Sequence, residues 1–443
     1  MADLRFDFEW LSYADADRRV GETTAQLKVH IGDLCLTHNE DAWSRTVRDR
    51  VTVSLYPLAM WFASSWWRLN HEVLPADARN RVPVHDWRMS HELAAANMGF
   101  VWPGIVFASD RDAMNIWTQA SRCHERASVK YLNGSGSVRS VPMTQFADAA
   151  TSFVNAVVAR LDAVGLQNSD LAQLWSIVLE DMANPEECRR RRIEAELGFD
   201  PKECPDAVIG QAMAFAQTIG ESSFAELSGA YAKNGGERVE AMRELADASG
   251  IVGRPDLPDM DLERSEGEPW QHAVSAAHEL RGRIGRPGGV LPDDALHDLL
   301  GLQKGEVENW MPQGQAKASV AGKRGAGDLA FILRKRHPVS RRFELARFIG
   351  DHIRSVEREP GSWLVTADLA TARQKFQRAF AAEFLCPIAS LVEFLDGEVS
   401  ESAIEDAASE FAVSERTVES LLENNGYLAR EGPGTGMPYN LFG

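Results

Sequence analysis

The sequence predicts a multidomain α+β protein, on the evidence of its length, its composition and the order of its segments. A chain of 443 residues exceeds the roughly 150 residues of an average domain, and we expect three domains. Hydrophobic residues make up 44% and charged residues 25% of the chain, as in ordinary globular proteins. Strand patterns mix with helical patterns early, and helical patterns alone follow. We predict an α+β domain over 1–165, a helical domain over 166–285 and a third domain over 286–443.

Composition also limits the location and partners of the chain. The net charge of −18 opposes non-specific binding to DNA or to an anionic membrane. The start lacks the basic and apolar segments of a signal peptide, and no run approaches the ~18 apolar residues of a membrane span. The five cysteines form no CxxC pair, which indicates a reducing compartment. Because the common nucleotide-binding and hydrolase motifs are also missing, we expect a cytoplasmic protein without a cofactor or membrane partner.

The first segments combine strand and helix patterns. Leu4–Trp10 alternates apolar and polar residues, as a strand does, and 26–37 forms two short runs around Gly32, as a hairpin does. Apolar residues at helical spacing over Val51–Asn70 predict a helix with Pro57 in its first turn.

Tryptophan is concentrated near the start of the chain, where eight of the twelve lie before residue 118. They could form a surface that stacks on a ligand or a base. We favour an aromatic core, because the rings recur at the period of a helix.

The rest of the first domain alternates between the two structures. We expect a helix over Asp86–Met98, strands over Phe100–Phe107 and Ala113–Thr118, a hairpin of Val129–Leu132 and Val138–Val141 joined by Asn133–Gly136, and a helix over Thr144–Ala163.

The second domain has helical patterns separated by Gly, Asn and Pro. The four arginines Arg189–Arg192 could bind phosphate, but flanking glutamates favour a solvated helix face. Residues 253–269 have the composition of an acidic linker. Helices are expected over Leu171–Met182, Ile193–Leu197, Ala207–Ala230, Glu237–Ala248 and Trp270–Arg283.

The third domain carries the most informative stretch, RRFELARFIGDHI at 341–353, after a predicted helix over Pro292–Leu302 and a strand over Asp328–Arg334. In the metallopeptidase motif His-Glu-x-x-His, two imidazoles at i and i+4 bind zinc and the Glu acts as the general base. The corresponding letters here are RFIGD, with Arg347, Phe348 and Asp351 at those positions.

The letters around these positions resemble the ImmA/IrrE family of metallopeptidases, whose helix runs approximately R-F-x-L-A-H-E-x-G-H. FQRAFAAEFLCP at 376–387 is similar to the family's later helix, approximately E-x-x-A-N-x-F-A-A-x-L-L-M-P. The family's third metal ligand is an acidic residue near the start of that helix, and the nearest position here is Gln374, give or take one. The resemblance covers about 286–428 and implies a zincin-like domain in which a strand precedes the active helix.

The resemblance therefore implies a domain whose catalytic and metal positions are all altered. Arg347 and Asp351, at i and i+4, are expected to pair directly, and Phe348 cannot serve as a base. We expect no metal, no catalytic residue and a protein partner, in a regulatory or interaction protein of mobile-element, phage-related or phage-defence control. Metal binding through non-standard ligands, Asp351 with Glu383, is the enzymatic alternative, although Glu383 is expected to face solvent.

Nucleic-acid binding is the alternative from another class. The two helices expected after Ser402, broken at Val413-Ser414, resemble a helix-turn-helix, but Glu415, Glu419 and Glu423 disfavour contact with phosphates. The segment 323–347 has a local excess of basic residues that could follow a phosphate backbone, but such an excess is more typical of a solvated face. The candidate contacts are Lys323, Arg324, Arg334, Lys335, Arg336, Arg341 and Arg342.

Overall fold

The computed structural model describes residues 3–78, 82–119, 127–132, 138–231, 236–258, 260, 269–312, 316–325, 327–354 and 362–429. The fold is a mixture of helices and small antiparallel sheets, in agreement with the predicted α+β class. Internal contacts group the chain into two compact units, Met1–Ile209 and Gly210–Glu431. Helices of the predicted domain 166–285 thus fall in both units. The predicted loop Asn133–Gly136 and most of the predicted linker 253–269 lie outside the described residues.

Unit 1 contains three antiparallel sheets and a group of helices. Its strands are β1 (Leu4–Trp10), β2 (Thr24–Ile31), β3 (Leu34–Cys35), β4 (Asn39–Asp41), β5 (Thr46–Arg48), β6 (Val51–Ser54), β7 (Gly104–Ser109), β8 (Ala113–Gln119), β9 (Val129–Tyr131) and β10 (Arg139–Pro142). Its helices are α1 (Arg18–Glu22), α2 (Tyr56–His71), α3 (His85–His91), α4 (Met143–Ala163), α5 (Asp170–Ala183) and α6 (Pro185–Glu196), with a 3₁₀ turn at Leu93–Ala96. The sheet orders are β1-β2-β3 with β6 on β2, β10-β8-β7, and β5-β4-β9.

Several predictions for unit 1 are confirmed and others are corrected. The strand Leu4–Trp10 and the hairpin around Gly32 are present. The predicted helix from Val51 begins only at Tyr56, because the β-branched residues before it form β6. The predicted hairpin is wrong, since β9 pairs with β4 and β10 pairs with β8. The helix predicted over Asp86–Met98 ends at His91.

The tryptophans of α2 form part of an aromatic core, as predicted. Trp61, Trp66 and Trp67 are buried. The ring of Phe62 contacts those of Phe6 and Phe153 at centroid distances of 5.6 and 5.9 Å. Edge-on ring contacts of this kind add to the apolar area that α2 buries against the sheet.

The arginine run in α6 has neither of its expected roles. Arg191 is buried and donates to Asp181 at 2.8 Å, to Glu187 at 3.0 Å and to Glu194 at 2.7 Å. Arg190 donates to Asp206 at 2.7 Å. Arg191 therefore belongs to a buried ion-pair network of unit 1, and the Arg190–Asp206 pair lies at the surface.

Unit 2 is one antiparallel sheet, ordered β11-β13-β12-β14, with helices packed against it. Its strands are β11 (Ile251–Gly253), β12 (Ala318–Lys323), β13 (Leu329–Ile332) and β14 (Leu364–Ala367). The helices are α7 (Asp206–Ile219), which begins before the boundary, α8 (Glu221–Ala230), α9 (Gly236–Asp247), α10 (Pro269–Arg283), α11 (Asp293–Leu300), α12 (Lys304–Glu308), α13 (Pro338–Arg354), α14 (Ala372–Leu385), α15 (Ile388–Leu395), α16 (Glu401–Phe411) and α17 (Glu415–Asn424).

The helix predicted over Ala207–Ala230 is two helices that meet at Gly220. This glycine has φ 87°, and a Cβ on it would clash with Ser362. The motif helix, the helix after it and the two helices broken near Ser414 are present as predicted. Among the described residues, no helix is both long enough and apolar enough to cross a bilayer.

Candidate functional site

The positions that the resemblance assigns to the metallopeptidase motif lie inside unit 2, where α13 and α14 pack beside β14. Asp351 and Gln374 have no exposed surface, and Arg347 is buried. Together with Arg373 and Gln377, which are also buried, these side chains form a polar layer that we call the edge layer.

The edge layer takes its name from the outer edge of β14, the strand at one end of the sheet. β14 pairs with β12 on one side only, with Ser319 opposite Thr366. In an antiparallel pair, alternate residues direct their N–H and C=O groups to opposite edges. Val365 and Ala367 therefore present these groups away from β12, where no strand follows.

Side chains of the edge layer bind the backbone of Val365. Its N–H donates to Asp351 Oδ2 at 2.9 Å. Its carbonyl accepts from Gln374 Nε2 at 3.0 Å and from Gln377 Nε2 at 2.9 Å. Both polar groups of a buried edge residue are thus satisfied without a neighbouring strand.

Ala367 is bound in the same way. Its N–H donates to Gln374 Oε1 at 2.8 Å, and its carbonyl accepts from Arg347 Nη2 at 2.7 Å. Arg347 Nη2 also donates to Gln374 Oε1 in a short hydrogen bond. The structure therefore brings Arg347, Asp351 and Gln374 together on one three-residue stretch of β14.

The predicted direct pair of Arg347 with Asp351 is wrong. Arg373 takes the carboxylate instead, through Nε at 2.8 Å to Oδ1 and Nη2 at 2.6 Å to Oδ2. A guanidinium that binds both oxygens of a carboxylate forms a stronger pair than Arg347 and Asp351 would form at i and i+4 of one helix, where the Arg-before-Asp order is unfavourable. Sequence reasoning missed Arg373, because nothing in the letters of α14 separates it from the neighbouring cations Lys375 and Arg378.

The pKa values of the two buried arginines shift in opposite directions. Burial and the nearby charge of Arg334 lower the pKa of Arg347 to about 10. Burial also opposes the charge on Arg373, but the carboxylate of Asp351 raises the pKa of Arg373 above its ordinary value. Both groups are cations at neutral pH.

Phe348, at the position of the general base, lies outside the edge layer. Successive residues of a helix are about 100° apart, so Phe348 faces away from the side of Arg347. Its ring has no exposed surface and contacts the ring of Phe331 at a centroid distance of 5.4 Å. Phe348 is part of the hydrophobic core of unit 2.

A second polar group lies at the end of β14. Arg334 donates to both oxygens of Asp368, at 2.6 and 2.7 Å. Glu344 accepts a short hydrogen bond from Ser319. Burial raises the pKa of Glu344. Burial opposes ionisation of Asp368 as well, but hydrogen bonds from Arg334 lower its pKa to about 2.

The candidate nucleic-acid contacts are dispersed. Arg341 and Arg342 are buried, with Arg341 donating to backbone carbonyls such as Arg336 O at 2.9 Å and Arg342 pairing with Asp293. Arg334 is bound to Asp368, and Arg324 donates to Ala248 O at 3.0 Å. Lys323 and Arg336 are exposed, and Lys335 is half-buried.

The non-standard ligand pair is separated as well. Glu383 is buried rather than solvent-facing, and it accepts from the N–H of Ile388 at 3.1 Å and contacts His278 Nε2 at 2.7 Å. Asp351 is bound to Arg373 instead. Within the described parts of the chain, no group of three or more His, Cys, Asp or Glu side chains is placed to hold a metal ion.

No known family model, curated protein or solved structure matches this chain.

Proposed function

We propose that this chain is a regulatory or protein-interaction protein built on a zincin-like, ImmA/IrrE-type domain that has lost peptide cleavage. The observation that carries the proposal is the edge layer. Three positions that the resemblance assigns to metal ligands hold Arg347, Asp351 and Gln374, and these side chains bind β14 of their own domain.

The cations of the edge layer argue against a divalent metal ion. Arg347 and Arg373 carry two positive charges, and the carboxylates of Asp351 and Glu226 already bind Arg373 and Gln374. A zinc ion placed among them would lie beside two guanidinium groups in a buried site, where Coulomb repulsion is weakly screened. Phe348, at the motif position of the general base, is a core residue that can neither accept nor donate a proton.

Binding without cleavage needs neither metal nor base, and by the family resemblance we place it in mobile-element or phage-related control. The edge layer also indicates how a partner does not bind. An extended peptide adds to a sheet through free backbone groups, and those of Val365 and Ala367 are already taken. The partner surface is therefore a different face of the protein.

Elemental analysis and a cleavage assay test the proposal together. The purified protein is expected to hold far less than one zinc per chain. A partner isolated by affinity from the native host is expected to keep its intact mass after incubation with the protein. About one zinc per chain, with cleavage of the partner that stops on chelation, would replace this proposal with a metallopeptidase using non-standard ligands.

DNA binding stays the second candidate, supported by the exposure of Lys323 and Arg336 and the partial exposure of Lys335. Charge reversal at these three residues is the informative variant, because Arg334, Arg341 and Arg342 are engaged inside the protein. A gel shift of duplex DNA at physiological salt, abolished by that variant, would favour this candidate.

A further inference from the structure

The free edge of β1 in unit 1 contrasts with the covered edge of β14. β1 pairs only with β2. The N–H of Leu11 donates to Thr24 O at 2.9 Å and that of Gly32 donates to Asp3 O at 3.1 Å, so the odd-numbered residues of β1 bond to β2. The even-numbered residues direct their N–H and C=O groups outward. Among the described residues, no hydrogen-bond partner is found for the outward backbone groups of Leu4, Phe6, Phe8 and Trp10.

A free edge of seven residues is long for a strand, because an exposed strand edge can pair with other chains. Proteins block such edges with proline, bulges, short strands or covering side chains. β1 has no proline and pairs with β2 without a bulge along its whole length. The backbone geometry of this edge therefore permits the addition of another strand, and the charges of Arg5, Asp7 and Glu9 restrict which strand can be added.

The side chains of β1 differ between its two faces. Phe6 and Phe8 are half-buried against Phe153, at centroid distances of 4.8 and 6.0 Å. Arg5, Asp7 and Glu9 project from the opposite face and are exposed. A strand added to this edge would thus face aromatic rings on one side and alternating charges on the other.

We propose that the edge binds a second copy of this chain, β1 against β1, antiparallel about a two-fold axis through Phe6. In this register Leu4 pairs with Phe8 of the partner subunit, and Phe6 pairs with the partner's Phe6. Arg5 lies opposite the partner's Asp7, and the symmetry makes this contact twice. Opposite charges in directly opposed positions stabilise a strand pair.

Neighbouring registers oppose acids at or beside the axis, whereas the proposed register opposes acids only at the strand ends. An axis through Asp7 would place Arg5 opposite the partner's Glu9 twice but would oppose Asp7 to itself, and an axis through Phe8 would oppose Asp7 to the partner's Glu9 twice. In the proposed register Asp3 lies opposite the partner's Glu9. Each of these acids has an arginine of its own chain within 3.2 Å, Arg5 for Asp3 and Arg50 for Glu9. The inference stands independently of the proposed function.

Sedimentation velocity of the full chain and of charge variants tests the proposal. The wild-type protein is expected to form a dimer whose population rises with concentration. Arg5→Asp and Asp7→Arg each oppose like charges across the axis, and each is expected to weaken dimerisation by about tenfold or more. Asp33→Arg, which changes the net charge as Asp7→Arg does but lies in the exposed β2–β3 turn, is the matched control and is expected to leave the dimer unchanged.

Mixing the two variants gives the decisive result. In a mixed dimer of the Arg5→Asp chain with the Asp7→Arg chain, both contacts across the axis join opposite charges, so the mixture is expected to dimerise near wild-type affinity. The double variant Arg5→Asp/Asp7→Arg is expected to do so alone. A wild-type monomer at high concentration, single variants that dimerise normally, or a mixture and a double variant that both stay monomeric would each overturn the proposal, as would a strand from another protein found on this edge in a monomer.

Discussion

The guanidinium of Arg347 donates to the carbonyl of Ala367 at 2.7 Å, so a buried arginine of α13 closes the edge of a sheet. Asp351 and Gln374 bind the same strand. The three side chains at the positions that the resemblance assigns to metal ligands therefore satisfy backbone groups that would otherwise be buried without partners.

Removal of Gln374 is expected to open this edge. Gln374→Leu deprives the Ala367 N–H of its acceptor, and leaving buried groups unpaired is expected to cost about 2–4 kcal/mol of the free energy of unfolding. Gln377→Leu is the matched control, because Val365 O keeps its bond from Gln374, and its cost is expected to be about 1 kcal/mol. Urea denaturation and exchange of the Ala367 amide measure both. Equal costs, or an unchanged exchange rate in Gln374→Leu, would contradict the assignment.

The buried ion pair of Asp351 with Arg373 is expected to stabilise the fold more than the partly exposed pair of Asp368 with Arg334. Asp351→Asn leaves a buried guanidinium without its carboxylate, and about 3–5 kcal/mol of the free energy of unfolding is expected to be lost. Asp368→Asn breaks the pair of Asp368 with Arg334. Because the Asp368 side chain is 57% exposed, this change is expected to lower the free energy of unfolding by about 1 kcal/mol or less. Denaturant titration of both variants checks the difference, and a similar loss in both would show that burial does not set the strength of these pairs.

Introducing the residues of the His-Glu-x-x-His motif is not expected to produce peptidase activity. The combined changes Arg347→His, Phe348→Glu and Asp351→His leave Gln374 at the third ligand position. They also bury a carboxylate against Phe331, and the protein is expected to lose more than about 3 kcal/mol of stability. Zinc content, urea midpoint and peptide cleavage are the measurements. The variant with Phe348 retained is the control for folding, and chelator-sensitive cleavage by the triple variant would show that the third-ligand alignment is wrong.

The sequence predicted the helices of this region better than its strands. α13 and α14 follow from apolar spacing and clear breaks. β12 and β14 were missed because both are short and almost fully buried, so neither shows the alternation that marks a half-buried strand. Without β14 the roles of Gln374 and Asp351 could not be deduced, since their partners are backbone groups of that strand.

A buried ionic cluster in unit 1 was also beyond sequence reasoning, because its members come from separate segments. Glu72 Oε2 accepts from Arg68 Nε at 2.7 Å and lies 3.2 Å from His91 Nε2. Trp87 stacks on His91 at a centroid distance of 4.0 Å. Burial opposes ionisation of Glu72, but the contacts with His91 and Arg68 lower its pKa to about 2.

This cluster is expected to make unit 1 sensitive to acid. Because the pKa of Glu72 lies below its ordinary value of 4.5 in the folded protein, its stabilisation is present above pH 4.5 and is lost as the pH falls from 4.5 towards 2. This lowering of the pKa corresponds to about 3 kcal/mol of stabilisation. Glu72→Gln is therefore expected to lower the urea midpoint at pH 7, followed by tryptophan fluorescence, and to differ much less from the wild type at pH 3. Asp33→Asn, an exposed acid in the same unit, is the control and is expected to match the wild type at both values. A stability gap for Glu72→Gln that stays constant between pH 7 and pH 3 would show that the carboxylate charge is not what stabilises the cluster.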